Sequence, residues 1–163
     1  MKLSIIVPHF NEEKNITEFC KYISGINFVD DYEVIFIDDY SNDDTKKICN
    51  LLNEQYDNFR FEKNIFHKGL GGAIRSGILA SEAKFITIMM CDSSDSIDDL
   101  KKYYNEISTS NFDAILGSRF ISGSKINNYP FRKLLLNRIF NYFVKIAFWS
   151  DYNDFTNAFK IYK

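Results

Sequence analysis

An uninterrupted apolar run at residues 85–90, FITIMM, is followed two residues later by Asp92 and a polar segment. Runs of this length are typical of strands buried on both faces of a parallel sheet. Asp92 would then lie at the carboxyl end of its strand, where open α/β sheets bind their ligands. Two further apolar runs, residues 3–7 and 32–37, also end in polar or acidic side chains. The sequence therefore predicts one ligand site at this edge of a parallel sheet.

Apolar runs alternate with helical patterns along the chain, which indicates consecutive βα units and a largely parallel sheet. Strands are predicted at residues 3–7, 32–37, 59–62, 85–90 and 114–116. Helices are predicted at residues 12–24, 43–56, 71–81 and 97–109. Asn11 and Ser41, each followed by acidic residues, are predicted to cap the first two helices. Residues 122–130, SGSKINNYP, are predicted to form a loop.

The length of 163 residues predicts a single domain, and the composition is that of an ordinary globular protein. Cys20, Cys49 and Cys91 show neither disulfide pairing nor metal-ligand spacing, so we expect three buried free thiols in a reducing compartment. No apolar run reaches the roughly 18 residues of a membrane span, and no signal peptide precedes the first strand. We therefore expect a cytoplasmic protein, and no nucleic-acid partner.

Residues 131–149 carry apolar side chains at a helical repeat with basic residues between them, which predicts an amphipathic helix. This helix could close the domain core, or it could lie in a membrane interface at the cytoplasmic face. Residues 117–163 hold eight Lys or Arg against two Asp, a net charge of +6, which leaves −8 for residues 1–116. The basic part could therefore face phosphate or an anionic membrane surface, or it could simply be a solvated face.

Two acidic residues, Asp38 and Asp39, stand between the second strand and the second helix. Turn formation would account for one of them. We interpret the other as a ligand contact, because a carboxylate at a strand end can accept hydrogen bonds from a nucleobase or a ribose hydroxyl.

The segment KGLGGAIRSG, residues 68–77, joins closely spaced glycines to a helix start. Its backbone N–H groups, together with Lys68 and Arg75, could bind an anion, although a glycine-rich turn often solves only a packing problem. Asp92 could hold Mg²⁺ if a substrate diphosphate supplied further oxygens. Arg119, after the fifth strand, could contact phosphate in a bidentate manner or form a structural ion pair with an aspartate.

Five segments in order resemble the family 2 glycosyltransferases of GT-A fold, in the branch of dolichyl-phosphate mannose synthases and polyprenyl-phosphate glycosyltransferases. They read SIIVPHFNEEKNI, VIFIDDYSNDDT, KGLGGAIRSG, MMCDSSDSIDDL with GSRF, and DFTNAFKIY. The resemblance implies a mostly parallel central sheet flanked by helices. It also implies transfer of a sugar, with inversion, from a nucleotide diphosphate sugar such as GDP-mannose or a UDP-sugar to a polyprenyl phosphate, with Mg²⁺ or Mn²⁺ as the cofactor.

The resemblance also implies roles for individual residues. Asp92 matches the last aspartate of the family's metal-binding D-x-D motif, whereas the first falls on Met90, which cannot ligate Mg²⁺. Ser94 is a further candidate metal ligand. By the resemblance Pro8, Asn11 and Glu12 would line the nucleotide pocket, with Asp39 beside the base or ribose. Asp38, Lys68 and Gly71 are expected to bind the donor from the strand-end and glycine-rich segments themselves. Arg119 and Lys160 are implied to be catalytic with Asp92, as cations near the diphosphate and the acceptor phosphate.

Two alternatives remain open at this point. The acceptor could be a saccharide or protein hydroxyl, in which case Asp95 or Asp154 would be the candidate general base. The chain could also be a non-catalytic nucleotide-binding domain, which Met90 and the end of the chain at Lys163 favour. Relatives continue past the NAFK segment, so the C-terminal part of the family pattern is expected to be absent.

Overall fold

The computed structural model describes residues 1–121 and 131–163. The predicted loop at residues 122–130 lies outside the described residues. The strands are β1 (Leu3–His9), β2 (Tyr32–Asp38), β3 (Phe59–Lys63), β4 (Phe85–Ile88), β5 (Ala114–Leu116) and β6 (Lys160–Tyr162). The helices are α1 (Ile16–Ile23), α2 (Thr45–Asn53), α3 (Leu70–Ala80), α4 (Ile97–Thr109) and α5 (Phe131–Ala147).

The strands form one sheet in the order β3-β2-β1-β4-β6-β5. β1 pairs in parallel with both β2 and β4, and β2 pairs in parallel with β3. β6 runs antiparallel to β4. Because the chain moves outward from β1 in both directions, the carboxyl ends of β1, β2 and β4 meet at one edge, as the sequence predicted.

The helices of the sheet are divided between its two faces. α1, α2 and α4 cover one face, where the larger cluster of buried apolar side chains includes Phe19 and Phe36. α3 covers the other face, where Ala73 packs with isoleucines of β1 and β2. A Cβ at Gly77 would lie 2.3 Å from the Cγ2 of Ile6, so glycine is what allows α3 to approach β1 this closely.

The chain divides into two compact units. The first unit comprises Met1–Ile115 and Phe159–Lys163, and the second comprises Leu116–Ala158. The second unit contains α5, the helix expected at residues 131–149. Exposed apolar side chains of α5 include Leu135, Leu136, Ile139, Phe140, Phe143 and Ile146. Within residues 1–121 and 131–163, no helix combines the length and the apolar character needed to span a bilayer.

Several predicted boundaries were wrong. β4 ends at Ile88 rather than at residue 90, because the Met90 N–H donates to Asp95 Oδ2 at 2.9 Å and not to a neighbouring strand. β6 was not predicted. α1 begins at Ile16 rather than at residue 12, α2 spans Thr45–Asn53 rather than residues 43–56, and α3 begins one residue earlier than expected.

The predicted helix caps at Asn11 and Ser41 were also wrong. Asn15 and Asp44 occupy the N-cap positions of α1 and α2, and neither makes a side-chain cap hydrogen bond. α4 does have a side-chain cap, since the Ser96 hydroxyl accepts from the Asp99 N–H. The three cysteines are buried and free, as expected, and burial raises the pKa of Cys20 to about 12.

Candidate functional site

Three loops follow the carboxyl ends of β1, β2 and β4, and each contains a residue in the left-handed region. Asn11 has φ 55°, Tyr40 has φ 63° and Ser93 has φ 56°. For residues other than glycine this conformation costs roughly 1–2 kcal/mol, and such residues cluster at functional sites. Their occurrence in all three loops indicates that this edge of the sheet is where a ligand would bind.

The loops after β1 and β2 are joined by hydrogen bonds that run in both directions. The Asn11 N–H donates to the Ser41 hydroxyl at 2.9 Å, and Asn11 Oδ1 accepts from the Asn42 N–H at 2.9 Å. The Glu12 N–H donates to the Thr45 hydroxyl at 2.9 Å. These bonds explain why Asn11 and Ser41 do not cap helices: their side chains hold the two loops together.

A cavity of about 240 Å³ lies in the first unit at this edge. Its lining residues are Pro8, His9, Phe10, Glu12, Asp39, Leu70, Ala73, Met90, Cys91 and Asp92. The structure therefore brings together four of the predicted site residues: Pro8 from β1, and Glu12, Asp39 and Asp92 from the three loops. Asn11, Asp38, Lys68, Gly71 and Ser94 do not line this cavity.

Asp39 is a buried carboxylate in the cavity wall. It is 7% exposed, and it forms no ion pair with any residue in the described part of the chain. Its Oδ1 accepts from Asn64 Nδ2 at 2.6 Å, and the Gly69 N–H donates to Oδ1 and Oδ2 at 3.0 and 2.8 Å. A carboxylate oxygen has room for two acceptor bonds, so Oδ2 can accept a further one from a ligand.

Asp38, by contrast, forms the turn. Its Oδ1 accepts from the Ser41 N–H at 3.2 Å and lies 3.7 Å from Nδ1 of His9. The structure thus has Asp38 in the turn and Asp39 in the cavity wall, and the ligand contact of either residue stays a prediction.

His9 lines the same cavity with an almost fully buried side chain. Its Nδ1 has no hydrogen-bond partner among the residues that the structure describes. Burial lowers the pKa of His9 below the ordinary value of 6.5, against the opposing effect of the carboxylates of Asp38, Asp43 and Asp39. The imidazole is therefore neutral near pH 7. We assigned no role to His9 from the sequence.

Asp92 is exposed beside the cavity. Its Oδ1 accepts from the Ser94 N–H at 3.0 Å, and Oδ2 makes no hydrogen bond with the described residues. No group of three or more His, Cys, Asp or Glu side chains placed to hold a metal ion occurs within residues 1–121 and 131–163. One open carboxylate oxygen still fits Mg²⁺ or Mn²⁺, because such ions often bind through one or two carboxylates and take their other ligands from substrate phosphates and water.

The start of α3 carries the glycine-rich segment. Gly69 has φ 136°, a conformation that side chains disfavour, and it directs the Gly69 N–H onto Asp39. Lys68 is exposed, with its Nζ 3.7 Å from the centre of the Phe10 ring. A Cβ at Gly71 would meet no atom within 4 Å, so packing does not require glycine there. The anion-binding hypothesis for Lys68 and Gly71 stays a prediction.

Arg119 lies in the second unit and is bound to a buried carboxylate. Its Nε and one terminal nitrogen donate to the two oxygens of Asp154 at 2.8 and 2.7 Å, and its backbone N–H donates to Asp154 at 2.9 Å. Burial alone would raise the pKa of Asp154, but hydrogen bonds and the charge of Arg119 outweigh it and hold that pKa below its ordinary range. Arg119 thus forms the structural ion pair that the sequence left open, and its contact with phosphate stays a prediction.

Residues 4–163 match the model of glycosyl transferase family 2. The chain belongs to this family. The resemblance seen in the five sequence segments is thereby confirmed, and the parallel sheet flanked by helices agrees with the expected GT-A fold. That residues 1–163 form a single domain stays a prediction.

Two curated relatives have dolichol phosphate or dolichyl phosphate in their names. A dolichol-phosphate mannosyltransferase of Pyrococcus furiosus is 28% identical over 138 residues, which is 85% of this chain and 39% of the relative. A dolichyl-phosphate beta-glucosyltransferase of Trichomonas vaginalis is 28% identical over 144 residues, which is 82% of this chain and 44% of the relative. The chain therefore spans about two fifths of the length of these relatives.

A solved structure supports the fold. A mannosyltransferase of Pyrobaculum calidifontis, determined in complex with GDP-mannose and Mn²⁺, superposes with a TM-score of 0.62 at 20% identity. The superposition covers 69% of this chain and 34% of that one. At this level of identity the similarity concerns the fold alone.

Several residues that line the cavity were not predicted from the sequence. His9, Phe10, Leu70, Ala73 and Cys91 all do so. His9 is the last residue of β1 and Phe10 follows it, so the strand-end argument that selected Asp92 applied to them as well. Cys91 and Ala73 carried no such signal, because small apolar residues are most often core residues.

Proposed function

We propose that this chain is the donor-binding part of a glycosyltransferase that moves a sugar, with inversion, from a nucleotide diphosphate sugar to a polyprenyl phosphate. One observation carries the proposal: in a family 2 chain, Asp39 and Asp92 line one cavity at the carboxyl edge of a parallel sheet. In the proposal, Asp39 accepts from the nucleoside and Asp92 faces the diphosphate. The donor is a GDP- or UDP-sugar.

In this proposal, different cavity residues contact different parts of the nucleotide sugar. The buried Asp39 accepts a hydrogen bond from the base or ribose at the remaining acceptor position of its Oδ2. The exposed Phe10 ring offers an apolar face for stacking. Pro8 and Glu12 complete the wall on the side of β1. The other proposed nucleotide contacts are Asn11, Lys68 and Gly71, which are close in sequence to cavity residues.

Asp92 is the proposed ligand for Mg²⁺ or Mn²⁺, with Ser94 as a secondary candidate. A bound divalent ion would supply charge stabilisation for the departing nucleoside diphosphate. Two observations support Asp92 for this role: its Oδ2 is open, and its Oδ1 is held by the Ser94 N–H.

The acceptor half of the proposal rests on the chemistry of the two curated relatives. A lipid phosphate oxygen is already anionic near pH 7, so attack on the anomeric carbon requires no strong general base. Cations matter more, because they orient the acceptor phosphate and reduce its repulsion from the donor. We propose Arg119 and Lys160 for this role.

A hydroxyl acceptor would need a carboxylate base, and the two candidates for that role are already bonded. Asp154 is fully buried and bound by Arg119, which lowers its basicity. Asp95 Oδ2 accepts from the Met90 N–H. We therefore favour the phosphate acceptor over the saccharide acceptor.

We further propose that α5 makes peripheral contact with the membrane that would carry such an acceptor. Its exposed apolar side chains and the basic residues Arg132, Lys133, Arg138 and Lys145 are the composition of interfacial helices, which bury apolar side chains and attract anionic headgroups. Loss of binding to vesicles containing anionic lipid on exchanging Leu136 and Phe143 for serine would support this contact, and unchanged binding would refute it.

A second candidate function is nucleotide-sugar binding without transfer. The observation that favours it is the single carboxylate at the metal position, where Met90 replaces the first acidic residue of the motif. The two functions differ in turnover. Labelled sugar should pass from GDP-mannose or UDP-glucose to polyprenyl phosphate if the enzyme proposal holds, whereas binding without transfer or hydrolysis by the full-length protein would favour the second candidate.

Calorimetry of UDP and GDP with and without Mn²⁺ tests the donor site directly. We expect Asp92→Ala to abolish the metal-dependent part of the affinity. Asp98→Ala is the matched control, since Asp98 is an exposed aspartate six residues away that does not line the cavity. Equal Mn²⁺ dependence in wild type and Asp92→Ala would reject the assignment.

A further inference from the structure

The Asp39 carboxylate is held by a buried amide that follows β3. Asn64 is 5% exposed. Its Nδ2 donates to Asp39 Oδ1 at 2.6 Å and to the His67 carbonyl at 3.2 Å. Its Oδ1 accepts from the Phe66 N–H and from the Ser76 hydroxyl, both at 2.9 Å. Both donors and both lone pairs of the amide are therefore used, which is the full capacity of an asparagine side chain.

This pattern determines which end of the amide faces Asp39. If the amide were turned over, its NH₂ would meet the N–H of Phe66, and its oxygen would meet the Asp39 carboxylate. Packing also restricts the amide: a Cβ at Gly72 would lie 3.1 Å from Asn64 Nδ2 and 2.3 Å from the His67 carbonyl oxygen. The first turn of α3 thus packs closely over Asn64, while the hydrogen bonds fix the orientation of the amide.

Asn64, the side chain that donates to Asp39, is neutral. An arginine or lysine at this position would orient the carboxylate equally well, but it would also neutralise the charge. Asn64 and the Gly69 N–H hold Asp39 without adding a positive charge. Buried in this way, a carboxylate keeps its full attraction for an N–H or O–H donor that enters the cavity.

We propose that Asn64 is a positioning residue for nucleotide binding, which fixes the Asp39 carboxylate so that the remaining acceptor position of its Oδ2 faces the bound nucleoside. The inference rests on the proposed function, in which Asp39 contacts the base or ribose. It assigns a role to a residue that does not line the cavity. Asn64 acts through Asp39 and not by touching the ligand.

The test replaces the amide by a carboxyl of the same shape. In Asn64→Asp two carboxyl groups would lie about 2.6 Å apart, the distance that now separates the amide from Asp39. Such a pair cannot hold two charges without strong repulsion, so it binds one shared proton as the pH falls. We expect the affinity of Asn64→Asp for UDP or GDP with Mn²⁺ to be about tenfold or more below wild type at pH 8 and to recover towards pH 5.5. Wild-type affinity should change far less over this range.

Ser76→Ala is the matched control. It removes one buried hydrogen bond to Asn64 Oδ1 but leaves the bond from Nδ2 to Asp39. If Asn64 positions Asp39, Ser76→Ala should lower the melting temperature without weakening nucleotide binding by more than about twofold. A purely structural role predicts instead that affinity falls in both variants in proportion to the melting temperature, and that outcome would overturn the proposal.

Failure of the inference can be separated from failure of the proposed function. If wild type binds neither UDP nor GDP with Mn²⁺, the donor site itself is wrong. If wild type binds one of them and folded Asn64→Asp binds it equally at pH 8 and pH 5.5, the donor site stands and the role of Asn64 is refuted. Should Asn64→Asp fail to fold, Asn64→Ser provides the same comparison of affinity with stability, without the pH dependence.

Discussion

Each of the two units contains one buried aspartate with several hydrogen-bond donors, and the two are satisfied in opposite ways. Asp154 in the second unit is fully buried and receives the guanidinium of Arg119 on both oxygens. Asp39 in the first unit is 7% exposed and receives only an amide and a backbone N–H. The Asp154 charge is paired with a cation and the Asp39 charge is not, so the hydrogen-bond partners distinguish the structural role of Asp154 from the ligand-binding role proposed for Asp39.

Breaking the Arg119–Asp154 pair should have the largest effect on stability. Arg119→Met would leave a fully buried carboxylate without its cation, a situation that costs about 3–5 kcal/mol. We expect a loss of this size in the free energy of unfolding, measured by urea denaturation and far-UV circular dichroism.

The double variant Arg119→Met with Asp154→Leu provides the control. Exchanging both members of a buried ion pair for apolar residues often restores stability, because no charge stays buried. A loss below about 1 kcal/mol in the single variant would mean that Asp154 reaches water when its partner is removed.

Removing the charge of Asp39 should affect binding more than stability. The amide introduced by Asp39→Asn could still accept from the Gly69 N–H, but it would oppose an NH₂ group to that of Asn64 or to the ligand. We expect the affinity for UDP or GDP with Mn²⁺ to fall about tenfold or more, and the free energy of unfolding to fall by about 1–2 kcal/mol. Calorimetry and urea denaturation of the same preparation measure the two effects. Unchanged affinity would contradict the difference drawn between the two aspartates.

His9 sharpens the comparison, because it is a buried titratable group that avoids charge by losing its proton. Its pKa is lower in the folded chain than the ordinary 6.5, so the unfolded chain binds more protons between these two values. Stability contributed by the neutral imidazole is therefore present above about pH 6.5 and is lost as the pH falls towards the folded pKa.

We expect the free energy of unfolding of wild type to fall more than that of His9→Gln between pH 7.5 and pH 5.5. Urea denaturation at the two pH values gives both numbers. Parallel pH profiles of the two proteins would show that His9 is not responsible for the acid sensitivity in this range.

The sequence predicted much of the fold and the centre of the site. Buried strands have a strong local signal, and parallel strands that share an edge bring their following residues together, which is why Asp39 and Asp92 could be expected in one cavity. β6 could not be predicted in the same way. It has three residues, and its partner β4 lies more than 70 residues away, so its existence depends on a pairing that local periodicity does not encode.

The residues that support the candidate site could not be predicted from the sequence either. Asn11 and Ser41 have the side chains of helix caps, and only the neighbouring loop decides that they bond across it. Asn64 resembles any asparagine after a strand. Its importance comes from contacts with Asp39, the following loop and α3, and no spacing in the sequence marks these contacts.

The smallest effect is expected for Asp38, the other member of the acidic pair. Its carboxylate accepts from the Ser41 N–H and faces His9, and it does not line the cavity. The amide oxygen introduced by Asp38→Asn could accept the same turn hydrogen bond, so the loop should keep its shape. We expect the affinity for UDP or GDP with Mn²⁺ to stay within about twofold of wild type, measured by calorimetry beside Asp39→Asn. If the two variants lost affinity equally, proximity to the strand end would matter more than the partners of the carboxylate, and the separation of structural from ligand-binding aspartates would fail.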